Sequence, residues 1–88
     1  MKQITVKVID PVGLHARPAT VAVSAASKCA CNVTGDFNGK VQNMKSIMGV
    51  MSLGVPTQAE VVITCDGANE EEAIVAIEET LRTNGVIA

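Results

Sequence analysis

Asn38-Gly39 constrains this chain more than any other pair of residues. It is the strongest short hairpin signal in the sequence, because a tight two-residue turn needs two residues that accept positive φ. On either side lie short β-prone runs, Asn32 to Phe37 and Lys40 to Asn43, with Val33, Phe37 and Val41 as the residues expected to face inward. An antiparallel pair must therefore stand in the middle of the chain. Before and after it the apolar period changes. Residues Gln3 to Ile9 alternate, with Ile4, Val6 and Val8 on one side, and Asp10-Pro11 breaks the run. Glu60 to Asp66 alternates again, through Val61, Ile63 and Cys65, and ends at Asp66-Gly67.

Between these runs the spacing is helical. Ala16 to Ala26 is rich in alanine, and Ala19, Ala22, Val23, Ala26 and Cys29 define one apolar face. Such small side chains predict a helix lying close to its sheet. Ser46 is a good N-cap for a two-turn helix over Ile47 to Leu53, with Gly54 following it. Asn69 and Glu72 have the spacing of a capping box for a last helix, whose buried stripe is Ile74, Ile77 and Leu81 and which Asn84-Gly85 ends. The order is β-α-β-β-α-β-α, an α+β fold with one sheet and helices on one face.

A chain of 88 residues is one domain, 1–88, with enough length for a modest core. Phe37 is its one aromatic, so Val, Ile, Leu, Met and Ala must build that core. A net charge of -2 argues against a general nucleic-acid binder. No run approaches the ~20 apolar residues of a membrane span, and the first residues lack a signal peptide's apolar stretch, which predicts a cytoplasmic protein with no membrane insertion. Cys29, Cys31 and Cys65 are odd in number and lack the paired spacing of a zinc site. They are expected to be small buried hydrophobes rather than disulfides or metal ligands, and no metal or cofactor is expected.

The one histidine, His15, lies in Gly13-Leu14-His15-Ala16-Arg17-Pro18. Pro18 belongs in the first turn of a helix, where a missing N–H costs nothing. His15 then falls at the N-cap, a position that favours Ser, Thr, Asp or Asn. Helix starts bind anions through free N–H groups and partial positive charge. A phosphoryl group on the imidazole would meet the N–H groups of Ala16 and Arg17, and the Arg17 guanidinium could grip its oxygens. The ordinary alternative is an incidental surface histidine on a small non-catalytic regulatory or ligand-binding α+β domain.

Two segments tip that balance. Gly13-Leu14-His15-Ala16-Arg17-Pro18-Ala19-Thr20 resembles the active-site segment of the HPr family, the phosphocarriers of the phosphoenolpyruvate-dependent sugar phosphotransferase system. Asn43-Met44-Lys45-Ser46-Ile47-Met48-Gly49-Val50-Met51-Ser52-Leu53-Gly54 resembles the regulatory segment of its Gram-positive-type members. The resemblance implies an open-faced β-sandwich of four antiparallel strands and three helices. It implies a monomer that is a carrier rather than an enzyme. His15 would accept a phosphoryl group on Nδ1 from phospho-enzyme I, beside Arg17, and give it to IIA domains of sugar permeases. Ser46 would be the target of HPr kinase/phosphorylase, and its phosphorylated form a corepressor for catabolite control protein A. Ile47, Met48 and Thr20 would dock partners, while Val50, Met51 and Leu53 are expected in the core. Regulatory paralogues without histidine transfer are set aside, since they lack the residue that stands here.

Overall fold

A computed structural model describes all residues, Met1–Ala88. The strands are β1 (Lys2–Lys7), β2 (Asn32–Phe37), β3 (Lys40–Asn43) and β4 (Glu60–Asp66), and the helices α1 (Ala16–Ser27), α2 (Ile47–Ser52) and α3 (Glu70–Thr83). All neighbouring strands are antiparallel, in the order β1-β4-β2-β3. The chain is thus the expected open-faced sandwich, with element order β-α-β-β-α-β-α. Val6, Val33, Val61, Ile63 and Cys65 are buried on the covered face, and the opposite face carries Gln3, Thr5, Lys7 and Thr34 towards water. No helix is long and apolar enough to cross a membrane.

β1 is displaced from the expected Gln3 to Ile9. It ends at Lys7, and Val8 instead forms a single bridge with Ile87, so the C-terminal residues close that edge of the sheet. The hairpin forms as expected, with φ of 54° at Asn38 and 81° at Gly39, the two positive values of a type I′ turn. That turn also corrects the reading of Val41. It pairs Phe37 with Lys40 and Asp36 with Val41. Opposed residues share a face, so Val41 follows Asp36 outward and is 56% exposed, while Gln42 stands opposite Gly35 on the covered side.

The helices carry three further corrections. On α1 the buried side chains are Pro18, Ala19, Ala22, Ala25 and Ala26, while Val23 and Cys29 are only half-buried. The alanines let α1 approach other helices rather than the sheet. It lies against α3 and α2, and α3 is the helix that sits over β4 and β1. On α2 the core members are Val50 and Leu53, but Met51 is exposed. The buried methionine is Met44, among the largest fully buried side chains. At α3 no capping box forms: Asn69 adopts a left-handed conformation, φ 58° and ψ 31°, and its side chain caps nothing. The Glu70 carboxylate instead accepts a hydrogen bond from the Gly67 N–H at 3.3 Å and pairs with the N-terminal ammonium of Met1. Ile74, Ile77 and Leu81 are buried as expected.

Candidate functional site

The loop before α1 is held along its length. The Val12 N–H donates to Asp10 Oδ1 at 3.0 Å, and the Gly13 N–H to the Asp10 carbonyl at 3.0 Å. Gly13 adopts φ +82° and lies so close to the chain leaving α2 that an added Cβ would stand 2.3 Å from the Val55 carbonyl oxygen. Leu14 is buried, and its N–H donates to that same oxygen at 3.0 Å. The segment that follows the Ser46 helix therefore anchors the loop that presents the histidine.

His15 emerges from this anchor exposed, as the N-cap of α1, with φ -103° and ψ -155°. Its carbonyl accepts from the Ala19 N–H at 2.8 Å, but its side chain makes no capping bond. A capping Ser or Asp would satisfy a first-turn donor, and His15 satisfies none. Pro18 has no N–H, so the donors left over are those of Ala16 and Arg17, and no group of the chain takes them. The first turn holds no acidic residue to offset its partial positive charge. Imidazole, two free amides and a cation thus share one helix start.

Arg17 is exposed and makes no hydrogen bond or ion pair within the chain. With Asp10, Pro18, Val21, Asn84 and Val86 it lines a recess of about 180 Å³. Asn84 and Val86 come from the far end of the sequence, and no local pattern points to them. Thr20 is exposed on the next turn, where its hydroxyl donates to the Ala16 carbonyl at 2.7 Å.

Ser46 is the N-cap of α2, as its spacing predicts, and its Oγ accepts from the Gly49 N–H at 3.1 Å. α2 packs against α1, which brings the two helices of interest together. Ile47 is 43% exposed, Met48 83% and Met51 43%. Met51 is the apolar surface residue that the sequence reading misses, though its distance of four from Ile47 places both on one stripe.

A family model described as the PTS HPr component phosphorylation site matches residues 2–83. The histidine-containing phosphocarrier protein of a Mycoplasma is 41% identical, with 98% of each chain covered and a TM-score of 0.93. The phosphocarrier protein HPr of Bacillus anthracis is 38% identical over 90% of this chain and 94% of its own, with a TM-score of 0.82. Crh, the catabolite repression protein of Bacillus subtilis, is 37% identical over 98% of this chain and 99% of its own, with a TM-score of 0.74. A match that runs from β1 to the end of α3, and structures superposing over nearly every residue, leave one conclusion: the chain belongs to the HPr family of phosphocarriers.

Proposed function

We propose that this phosphocarrier takes its phosphoryl group on Nδ1 of His15 from phospho-enzyme I and passes it to the IIA domains of sugar permeases in the cytoplasm. The observation that carries this reading is the helix start whose N-cap leaves its donors unused. The Nδ1 lone pair attacks phosphorus, and the bond from phosphorus to its donor on enzyme I breaks. The N–H groups of Ala16 and Arg17 receive the phosphoryl oxygens, and the Arg17 fork adds charge-assisted contacts as the group arrives and leaves. The transfer out is the same step reversed onto a new acceptor, so the contacts must not hold the group too tightly. Surface exposure of Arg17 and His15 suits that need.

Ser46 supplies regulation in this reading. Phosphorylation by HPr kinase/phosphorylase adds roughly -1.5 to -2 charges at a helix start that tolerates them. The fold survives, but enzyme I brings its own phosphate to the neighbouring helix, and like charges oppose docking. The same charge offers arginines of catabolite control protein A a partner. Ile47, Met48 and Met51 form the adaptable apolar surface that docks these proteins, with Thr20 beside the histidine. The carrier works as a monomer. Dimers are recorded for two similar proteins, HPr of Thermoanaerobacter tengcongensis and Crh, the latter by swapping.

The test is incubation with enzyme I and phosphoenolpyruvate. The protein should gain one acid-labile phosphate, and His15→Ala should gain none. A phosphorylated His15→Ala variant would overturn the assignment, and no phosphorylation of the wild type would favour a regulatory or ligand-binding domain.

A further inference from the structure

The helix that offers its apolar residues to partners has little inside it to hold it in place. α2 has six residues, Ile47–Ser52, whereas isolated helices shorter than ~12–15 residues are marginal in water. Gly49 lies in its middle, where glycine weakens a helix. Val50 is its one buried side chain, joined by Leu53 just beyond its end. Ile47, Met48 and Met51 face water. Its own side-chain bonds are two, from the Gly49 N–H to Ser46 Oγ at 3.1 Å and from Ser52 Oγ to the Gly49 carbonyl at 2.7 Å. A helix that buries so little keeps its place through whatever grips it from outside.

Two lysines grip it, one at each end. Lys45 precedes the N-cap and is half-buried, and its Nζ donates to the Cys29 carbonyl at 2.8 Å, just past the C-cap of α1. Lys40 opens β3, and its Nζ donates at 3.1 Å to the carbonyl of Ser52, the last residue of α2. Both acceptors lie at helix C-termini, where carbonyls run out of intrahelical partners and partial negative charge favours a cation. Neither ammonium pairs with a carboxylate. One strut therefore ties the start of α2 to α1, and the other ties its end to the β2–β3 hairpin. The segment between the lysines is fixed in turn, since Gln42 pairs with Gly35 and the Met44 N–H donates to the Val33 carbonyl at 2.8 Å.

We propose that Lys40 and Lys45 are positioning residues for docking: their ammonium groups hold α2 in the pose that presents Ile47, Met48 and Met51 to enzyme I. This rests on the reading that α2 docks partners. Each strut trades one hydrated ammonium for a bond to a carbonyl that the helices cannot satisfy themselves. With a strut released, the docking pose becomes a fraction of the population, and apparent affinity falls by that fraction. The chemistry at His15 is untouched, because neither lysine lies on α1 or the loop before it.

The experiment compares Lys45→Met, Lys40→Met, Lys45→Arg and Lys40→Arg with the wild type. Methionine keeps an unbranched apolar stem and removes the ammonium, whereas arginine keeps a cationic donor. Amide exchange in the free protein reads the helix itself. Losing a charged hydrogen bond in Lys45→Met should quicken exchange at Gly49 by about tenfold. Lys40→Met loses a more exposed bond and should quicken exchange at Leu53 and Gly54, whose N–H groups close the last turn, by about threefold. Phosphorylation by phospho-enzyme I reads docking. KM should rise by about two- to threefold in either methionine variant with kcat unchanged, and the arginine variants should restore it. Exchange that stays at the wild-type rate in both methionine variants overturns the struts. A raised KM with unchanged exchange also overturns them, because the lysines would then touch the partner directly. Met48→Ser tests the underlying reading. If it raises KM while the methionine variants do not, the positioning role fails and the docking reading stands. If Met48→Ser too leaves KM unchanged, the docking reading fails and takes the positioning role with it.

Discussion

Gly13 offers a measurable test of how the histidine loop is built. Gly13→Ala asks an L residue to hold φ +82°, a left-handed conformation that costs it about 1–2 kcal/mol. It also sets the new Cβ at 2.3 Å from the Val55 carbonyl oxygen and 3.0 Å from Pro56 Cα. Both are backbone atoms, so no side chain can swing aside. The loop must move by the better part of an ångström, and the bond from the Leu14 N–H to the Val55 carbonyl breaks. Stranding those groups costs about 1–3 kcal/mol. The sum is about 2–5 kcal/mol, a large part of the total stability of a small domain, and lowers Tm by roughly 10–30 °C.

Gly39→Ala is the matched control, with φ +81° but nothing within 4 Å of the added Cβ. It should show only the conformational cost, about 1–2 kcal/mol. Urea unfolding of both variants measures the difference, and it isolates the clash from the backbone strain. Equal losses at the two positions would refute the close approach, and with it the anchoring of the His15 loop on the chain that leaves α2. Phosphoryl transfer should fall in Gly13→Ala even well below its midpoint, because Leu14 and His15 move with the loop.

Arg17→Lys keeps the charge but loses the planar fork, so transfer to and from partners should slow while urea stability stays within about 0.5 kcal/mol of wild type. Met44→Ala empties a fully buried site and should cost about 2–5 kcal/mol by urea unfolding, whereas Val41→Thr should change stability by less than about 0.5 kcal/mol. The Glu70 carboxyl is held below its ordinary 4.5 by its bond to the N-terminal ammonium and then by the Gly67 N–H, and the same bond raises the ammonium above its ordinary 8.0. The pair therefore stabilises the fold between those limits, and its contribution fades as pH falls through the lowered carboxyl or rises through the raised ammonium. Glu70→Gln should narrow its gap from wild type at both ends of a stability-versus-pH curve.

The sheet was legible because its signals are local. Alternation in Glu60 to Asp66 names the buried face without knowing what covers it, and Asn38-Gly39 names the hairpin. The two-residue turn even contains the correction to Val41, since pairing Phe37 with Lys40 leaves no other face for it. A lone valine on a four-residue edge strand is simply too short a pattern to override hydrophobicity. Met51 fails for the opposite reason, and the buried Met44 drew no expectation. Both are flexible and apolar, and which one is buried depends on how α2 sits against α1 and β3. Asn69 has the right neighbours for a capping box, but the turn from β4 imposes a left-handed conformation that points its side chain elsewhere. The strand order is set by contacts between distant segments and left no mark in any window of sequence.

At the site, the same division separates what the chain needs for folding from what the proposed transfer needs. Gly13, Leu14 and Val55 are buried, the Leu14 N–H donates to the Val55 carbonyl that Gly13 lies against, and the fold would suffer from their loss. The side chains of His15 and Arg17 and the amides of Ala16 and Arg17 have no hydrogen-bond partner in the protein. A side chain that caps, pairs or packs must give up that contact to act, and the lost contact adds to the barrier. Here nothing has to be given up. The loop holds the histidine from behind, through backbone, and in the proposed reading its front is left to the phosphoryl group. An unsatisfied helix start in water is inexpensive, since solvent fills the empty donors. It would become a strong anion site once a docking partner expelled that solvent, which would tie the proposed chemistry to the apolar residues exposed on the neighbouring α2. Ile47, Met48 and Met51 would thus serve twice, by holding the partner and by drying the site in which its phosphate is exchanged.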